Sequence, residues 1–178
     1  MQFIDTHSHL YSSQFDEDRT EVVNNAINSG INIMLLPNIS SKYTKGMLAL
    51  CAEFPNNCFP MMGLHPCDVN EDNIEGELLH VEQELAKDKY IAVGEIGLDL
   101  YWDKTKLEIQ KEAFIQQIEL AKKYKLPIAI HVRESFTEAI EIIEKLNDKN
   151  LRGVFHCFTG NVEDAQRVIN LGGFYLGI

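Results

Sequence analysis

Short apolar, β-branched runs alternate along this chain with longer amphipathic ones, and no other feature constrains the fold as strongly. The pattern predicts strands near 2–6, 31–36, 58–63, 90–94, 127–131, 153–157 and 173–178. Helices are expected near 17–29, 41–53, 74–87, 105–124, 135–147 and 162–170. In the helix after Lys104, the residues Leu107, Phe114, Ile118 and Ala121 fall on one stripe, with Lys111, Glu112, Gln116, Lys122 and Lys123 turned to water. Gly30, Pro127 and Gly172-Gly173 mark stops between elements. Parallel strands joined by helices make either a doubly wound sheet or a (β/α) barrel. No G-x-G-x-x-G follows the first strand, which disfavours a dinucleotide-binding sheet.

Polar residues that are costly to bury sit at the carboxyl ends of the expected strands. His7 and His9 follow the first, His65 the third, Glu95 the fourth, His131 the fifth and His156 the sixth. In a (β/α) barrel all these ends open on one face, so residues distant in sequence converge there. In extended backbone His7 and His9 point to the same side and can reach one ion; the alternative is a pair of surface histidines. Asp5 shares their parity and could support the first strand or a ligand. Glu95 can bridge two cations, one on each oxygen, or simply cap a turn. His131 and His156, taken singly, read as core histidines. Taken together, five such groups at five equivalent positions read as a metal centre. A nitrogen-rich set with carboxylate suits Zn²⁺ or Mn²⁺ better than Ca²⁺, and leaves Mg²⁺ open where water completes the shell. His80 lies in mid-helix, away from any strand end, and reads as structural.

With 178 residues, the chain has room for one domain with a sizeable core. Its 16 Lys+Arg against 27 Asp+Glu give a net charge of −11, which argues against a general basic surface for nucleic acid or anionic membrane but not against one local phosphate site. Cys51, Cys58, Cys67 and Cys157 lack C-x-x-C spacing and read as reduced thiols. No secretory signal and no membrane-length apolar run is visible, so the expectation is a cytoplasmic protein with no membrane association and no evident obligate protein partner.

Five stretches carry a family resemblance: Phe3-Ile4-Asp5-Thr6-His7-Ser8-His9-Leu10, Gly63-Leu64-His65-Pro66, Gly94-Glu95-Ile96-Gly97-Leu98-Asp99, Pro127-Ile128-Ala129-Ile130-His131-Val132-Arg133 and His156-Cys157-Phe158-Thr159-Gly160. In order and spacing they make the chain resemble the TatD-like metal-dependent deoxyribonucleases, within the amidohydrolase-type metal-dependent hydrolases. The resemblance implies a TIM-like (β/α) barrel with one or two divalent ions (Zn, Mg or Mn). The implied activity is hydrolysis of phosphodiesters of DNA, in single strands or at 3′ ends. By position it implies that His7, His9 and Glu95 hold one ion and Glu95, His131 and His156 the other. The resemblance further implies Glu95 as the catalytic carboxylate of that set, and His65 and Arg133 as contacts to the scissile phosphate. A guanidinium matches phosphate oxygens with its fixed fork of donors, though Arg133 could equally pair with Glu134 or Glu138. Tyr101-Trp102 and Lys104 lie at the same mouth, where they could stack an unpaired base or form a lid or packing cluster.

The family pattern continues, after the seventh strand, with an Asp-x-Pro segment whose aspartate is a further ligand and the base for the attacking water. The sequence ends at Tyr175-Leu176-Gly177-Ile178. Eight-unit barrels typically need about 250 residues. The expectation is therefore one barrel domain over 1–178, truncated at its C-terminus, with edges of the first and seventh strands unpaired. Asp99 and Asp103 are expected in the loop after the fourth strand. The competing functions are hydrolysis of another ester or amide, such as an aminoacyl-tRNA, and an inactive metal-binding fragment.

Overall fold

The structure, a computed structural model, describes residues 2–178. Among these residues, seven parallel strands alternate with six α-helices: β1 Phe3–Asp5, α1 Arg19–Asn28, β2 Ile31–Leu36, α2 Ser41–Glu53, β3 Cys58–Pro60, α3 Ile74–Leu85, β4 Val93–Asp99, α4 Leu107–Tyr124, β5 Ile128–Arg133, α5 Phe136–Leu146, β6 Gly153–Phe155, α6 Val162–Asn170 and β7 Phe174–Leu176. Strands β1-β2-β3 and β4-β5-β6-β7 pair in sequence order, all parallel. The Met62–Val93 bridge and the Ile91 N–H donated to Pro60 O (3.1 Å) join the two sets into one curved wall. This is the wall of a TIM-like barrel. Among the described residues, β1 pairs only with β2 and β7 only with β6, leaving Phe3, Ile4 and Tyr175 exposed.

The main core lies between the wall and its helices, where Phe114, Ile118, Ile140, Ile143, Met47 and Val81 pack on Leu36, Met62, Ile96, Leu98 and Ile130. A smaller cluster of Met61, Ala92 and Ala129 lines the inside of the wall. Helix α4 buries Phe114, Ile118 and Ala121 as its periodicity requires, but it also buries Gln110 and Gln117 on that face. The helix stops fall where the sequence places them, with Gly30 and Gly173 in the left-handed region that glycine adopts without a Cβ clash.

The fourth strand differs from expectation. It runs over Val93–Asp99 rather than 90–94, and β5 continues to Arg133 rather than ending at 131. Tyr90 instead turns under α3, donating its hydroxyl to Glu84 Oε2 (2.6 Å). Gly94 and Gly97 serve close approach within the sheet. A Cβ on Gly94 would lie 2.7 Å from the Ala129 Cβ, and one on Gly97 only 2.0 Å from His131 O. The β4–β5 register shifts between Val93 and Ile96, so the ladder bulges where Glu95 sits. Glu95 and His131 are therefore held inside strands and not just beyond them. Asp99 is the last residue of β4 and 3% exposed, not a loop residue.

Candidate metal centre

Glu95 is 3% exposed, and each of its carboxylate oxygens faces different histidines. Oε2 lies 3.0 Å from His7 Nε2, 3.3 Å from His9 Nε2 and 3.8 Å from His65 Nε2; Oε1 lies 3.0 Å from His131 Nδ1. His7, His9 and Glu95 form one group with ligand spacing, and His65, Glu95 and His131 a second. His156 stands outside both, its ring stacked on His7 with centroids 3.4 Å apart and planes 9° apart. Asp5 Oδ1 accepts the His7 backbone N–H (3.0 Å), fixing the turn out of β1. Residues His7, His9, His65, Glu95, His131 and His156 thus converge on one mouth, as strand-end placement requires. His80 on α3 instead faces Thr44 Oγ1 at 2.9 Å.

The outer partners of the histidines sort them chemically. The Tyr11 hydroxyl donates its one proton to Pro37 O, so at 2.8 Å from His9 Nδ1 it can only accept. His9 therefore carries a proton on Nδ1 and presents Nε2 to Glu95. At His65 the order is reversed: the Cys67 backbone N–H donates to Nδ1 (3.1 Å), which leaves the proton of the neutral ring on Nε2. His131 has Asp99 Oδ2 2.9 Å from Nε2, so a proton held there frees Nδ1 on the Glu95 side. With a cation bound, His9 Nε2 and His131 Nδ1 would be the nitrogens offered to it, whereas neutral His65 offers a donor.

Electrostatics agree with cation binding. Burial opposes ionisation of Glu95, but the hydrogen bonds of His131, His7 and His9 outweigh it and hold the carboxyl far below the usual range. Burial lowers His65 to about 4, and burial with the neighbouring His7 lowers His156 to about 4, so both rings are neutral near pH 7. An ionised carboxylate beside the neutral His65 and His156 rings is donor chemistry that suits a divalent ion of the zinc or manganese type.

Several supporting residues escaped the sequence reading. Asn38 brackets the Gly94–Glu95 peptide with its own backbone: its N–H donates to Gly94 O (3.0 Å) and its O accepts from Glu95 N–H (3.1 Å). Its side chain is tied to Ser40 O and Thr44 Oγ1, each at 3.1 Å. Gln117 accepts the Leu64 N–H (2.7 Å) and donates to Leu64 O (3.1 Å), clamping the residue before His65. Gln110 does the same for Asp99, at 2.9 and 3.0 Å. The available signal was a pair of glutamines seven apart on the apolar face of α4.

Arg133 is paired with no carboxylate among the described residues. Its guanidinium lies over the Tyr101 ring, 3.6 Å from the centroid. Lys104, not Arg133, approaches Glu134 (3.7 Å).

The parallel wall thus carries a His-x-His pair after its first strand, a buried glutamate in the fourth and a histidine in the fifth, all turned to one mouth. Residues 4–178 match the family model described as TatD related DNase, and the chain belongs to that family. It is 34% identical over 172 residues to the uncharacterized metal-dependent hydrolase YabD of Bacillus subtilis, covering 97% of this chain and 66% of that one. It is 31% identical over 169 residues to the 3′-5′ ssDNA/RNA exonuclease TatD of Escherichia coli K12, covering 95% and 64%. The crystal structure of YjjV, a TatD homologue from E. coli K12, superposes with a TM-score of 0.88 at 30% identity over 99% of this chain and 67% of that one. The TatD-family hydrolase of Entamoeba histolytica gives 0.85 at 27% identity, over 100% and 65%. The chain thus spans about two thirds of the length of the relatives it matches.

Proposed function

We propose that this chain forms a single hydrolase barrel domain that cleaves phosphodiester bonds of single-stranded DNA or RNA, from the 3′ end, with one or two divalent ions (Zn, Mg or Mn). The observation that carries the reading is Glu95, with its two oxygens turned to separate histidine groups. His7, His9, Glu95, His131 and His156 would hold the metal, and the relative named as a 3′-5′ ssDNA/RNA exonuclease supports the substrate class. Bound there, the metal would supply Lewis acidity at the phosphate and a water acidified enough to attack. His65, with its proton on Nε2, is a donor for a phosphate oxygen, and Arg133 is the nearby cation with no acidic partner among the described residues. Glu95 stays ionised at working pH, so it can hold cations without first losing a proton.

Among the described residues, no helix is long and apolar enough to cross a membrane. The four unpaired cysteines fit a reducing compartment, and we place the protein in the cytoplasm.

The test is a panel of 5′-labelled single-stranded oligonucleotides against Mg²⁺, Mn²⁺ and Zn²⁺, with ester and amide substrates alongside. The expected result is a ladder shortening from the 3′ end, lost with chelator and in Glu95→Ala. Turnover of esters or amides alone would move the reading to another hydrolase, and absence of any chelator-sensitive turnover would reject it.

A further inference from the structure

Tyr101 and Trp102 stand beside the centre and take no part in the hydrolytic chemistry proposed above, and the guanidinium of Arg133 lies against them. Trp102 is 73% exposed and Tyr101 47%, and among the described residues neither ring is packed against the core. A helix-packing role is therefore absent. The two rings meet edge to face, with centroids 4.8 Å apart at 88°, and the Arg133 guanidinium covers Tyr101 while lying 5.7 Å from the indole. The guanidinium thus covers Tyr101, and the indole stands edge to face beside it, open to solvent.

Its position is fixed by the centre itself. Asp99 Oδ1 accepts the Tyr101 N–H (3.0 Å) while Oδ2 faces His131 Nε2 (2.9 Å), so one buried carboxylate ties both the loop and a histidine of the centre. Arg133 lies two residues beyond His131 on β5, in register with Asp99, and its carbonyl accepts the Leu100 N–H (2.9 Å).

We propose that Tyr101, Trp102 and Arg133 form a stacking platform for an unpaired nucleobase of the strand whose phosphate lies at Glu95. This rests on the nuclease reading above. A planar π-system is the ligand that fits: it can stack on the exposed indole beside the guanidinium, and base–aromatic stacking is worth about 1–3 kcal/mol per base. Two rings are too small a patch for a stable protein partner or a lipid surface. The acidic chain, at −11, offers a polyanion little general attraction, so affinity must come from local contacts of this kind. Stacking tolerates any base, and the platform would favour single strands over duplex because a paired base cannot leave its neighbours.

The sequence holds one tryptophan, so its emission reports on this position. Short 5′-labelled oligonucleotides with a phosphorothioate 3′ linkage would be titrated in Mg²⁺, following label anisotropy and tryptophan emission together. Expected are quenching that saturates with binding and about tenfold weaker binding of a strand with abasic 3′-terminal positions. Trp102→Ala should weaken the normal strand to the abasic level. Arg133→Lys, which keeps the charge, should narrow the normal-to-abasic ratio. A strand that binds without changing the emission, and binds equally well when abasic, overturns the platform and leaves the nuclease reading standing. If no single strand binds or is cleaved, both fall.

Discussion

His131 stands between two carboxylates, with Nδ1 3.0 Å from Glu95 Oε1 and Nε2 2.9 Å from Asp99 Oδ2. Burial disfavours charge on this ring, but the two carboxylates outweigh it and raise its pKa. A cation at Nδ1 requires the ring proton to stay on Nε2, where Asp99 holds it. Such outer carboxylates typically contribute a factor of about 10–100 in metal affinity. Asp99→Asn should weaken Zn²⁺ or Mn²⁺ binding by about that factor in isothermal titration, and an unchanged isotherm would remove Asp99 from the centre.

Tyr11 makes a comparable prediction for His9 through the opposite ring nitrogen. In Tyr11→Phe, Nδ1 loses its acceptor and the ring is free to place its proton on Nε2, the nitrogen facing Glu95. Long-range ¹H–¹⁵N spectra should show one His9 tautomer, Nδ1–H, in the parent and a mixture in the variant, with weaker metal uptake. A parent ring already in mixed tautomers defeats the assignment.

Gln117 is expected to matter for stability more than its polar character suggests. Removing it leaves the buried Leu64 N–H and O without partners, at about 1–3 kcal/mol for each unsatisfied group. Gln117→Ala should therefore lose roughly 2–6 kcal/mol in urea unfolding, whereas the exposed Gln116→Ala on the same helix should lose under about 0.5 kcal/mol.

The contrast between Gln116 and Gln117 shows where sequence reading ends. Element type and order were legible because hydrophobic periodicity is local, and the histidines were legible because a strand end is a fixed place in a barrel. The extent of β4 is not a local property: its course from Val93 to Asp99 passes through Gly97, whose missing Cβ is what lets His131 O approach. The place of Asp99 in that strand and its contact with His131 are tertiary facts that spacing does not encode. Asn38 acts on Glu95 through its backbone, which carries no residue-type signal at all.

Glu84 gives the clearest pH dependence away from the centre. It is buried at the end of α3, accepting from Tyr90 Oη (2.6 Å), with Lys87 in contact and Lys89 Nζ at 3.3 Å. Burial opposes its ionisation, but these three donors prevail and lower its pKa to about 2 from 4.5. A carboxyl with a depressed folded pKa contributes stability that is complete above about pH 4.5 and is lost as the pH falls toward about 2. Because both lysines reach solvent, the contribution is discounted to roughly 1–2 kcal/mol. Glu84→Gln should be less stable than the parent by that amount in urea at pH 7. The gap should close progressively between about pH 4.5 and 2. A gap that stays constant across this range would show that Glu84 acts through packing and the Tyr90 hydrogen bond alone, without its charge.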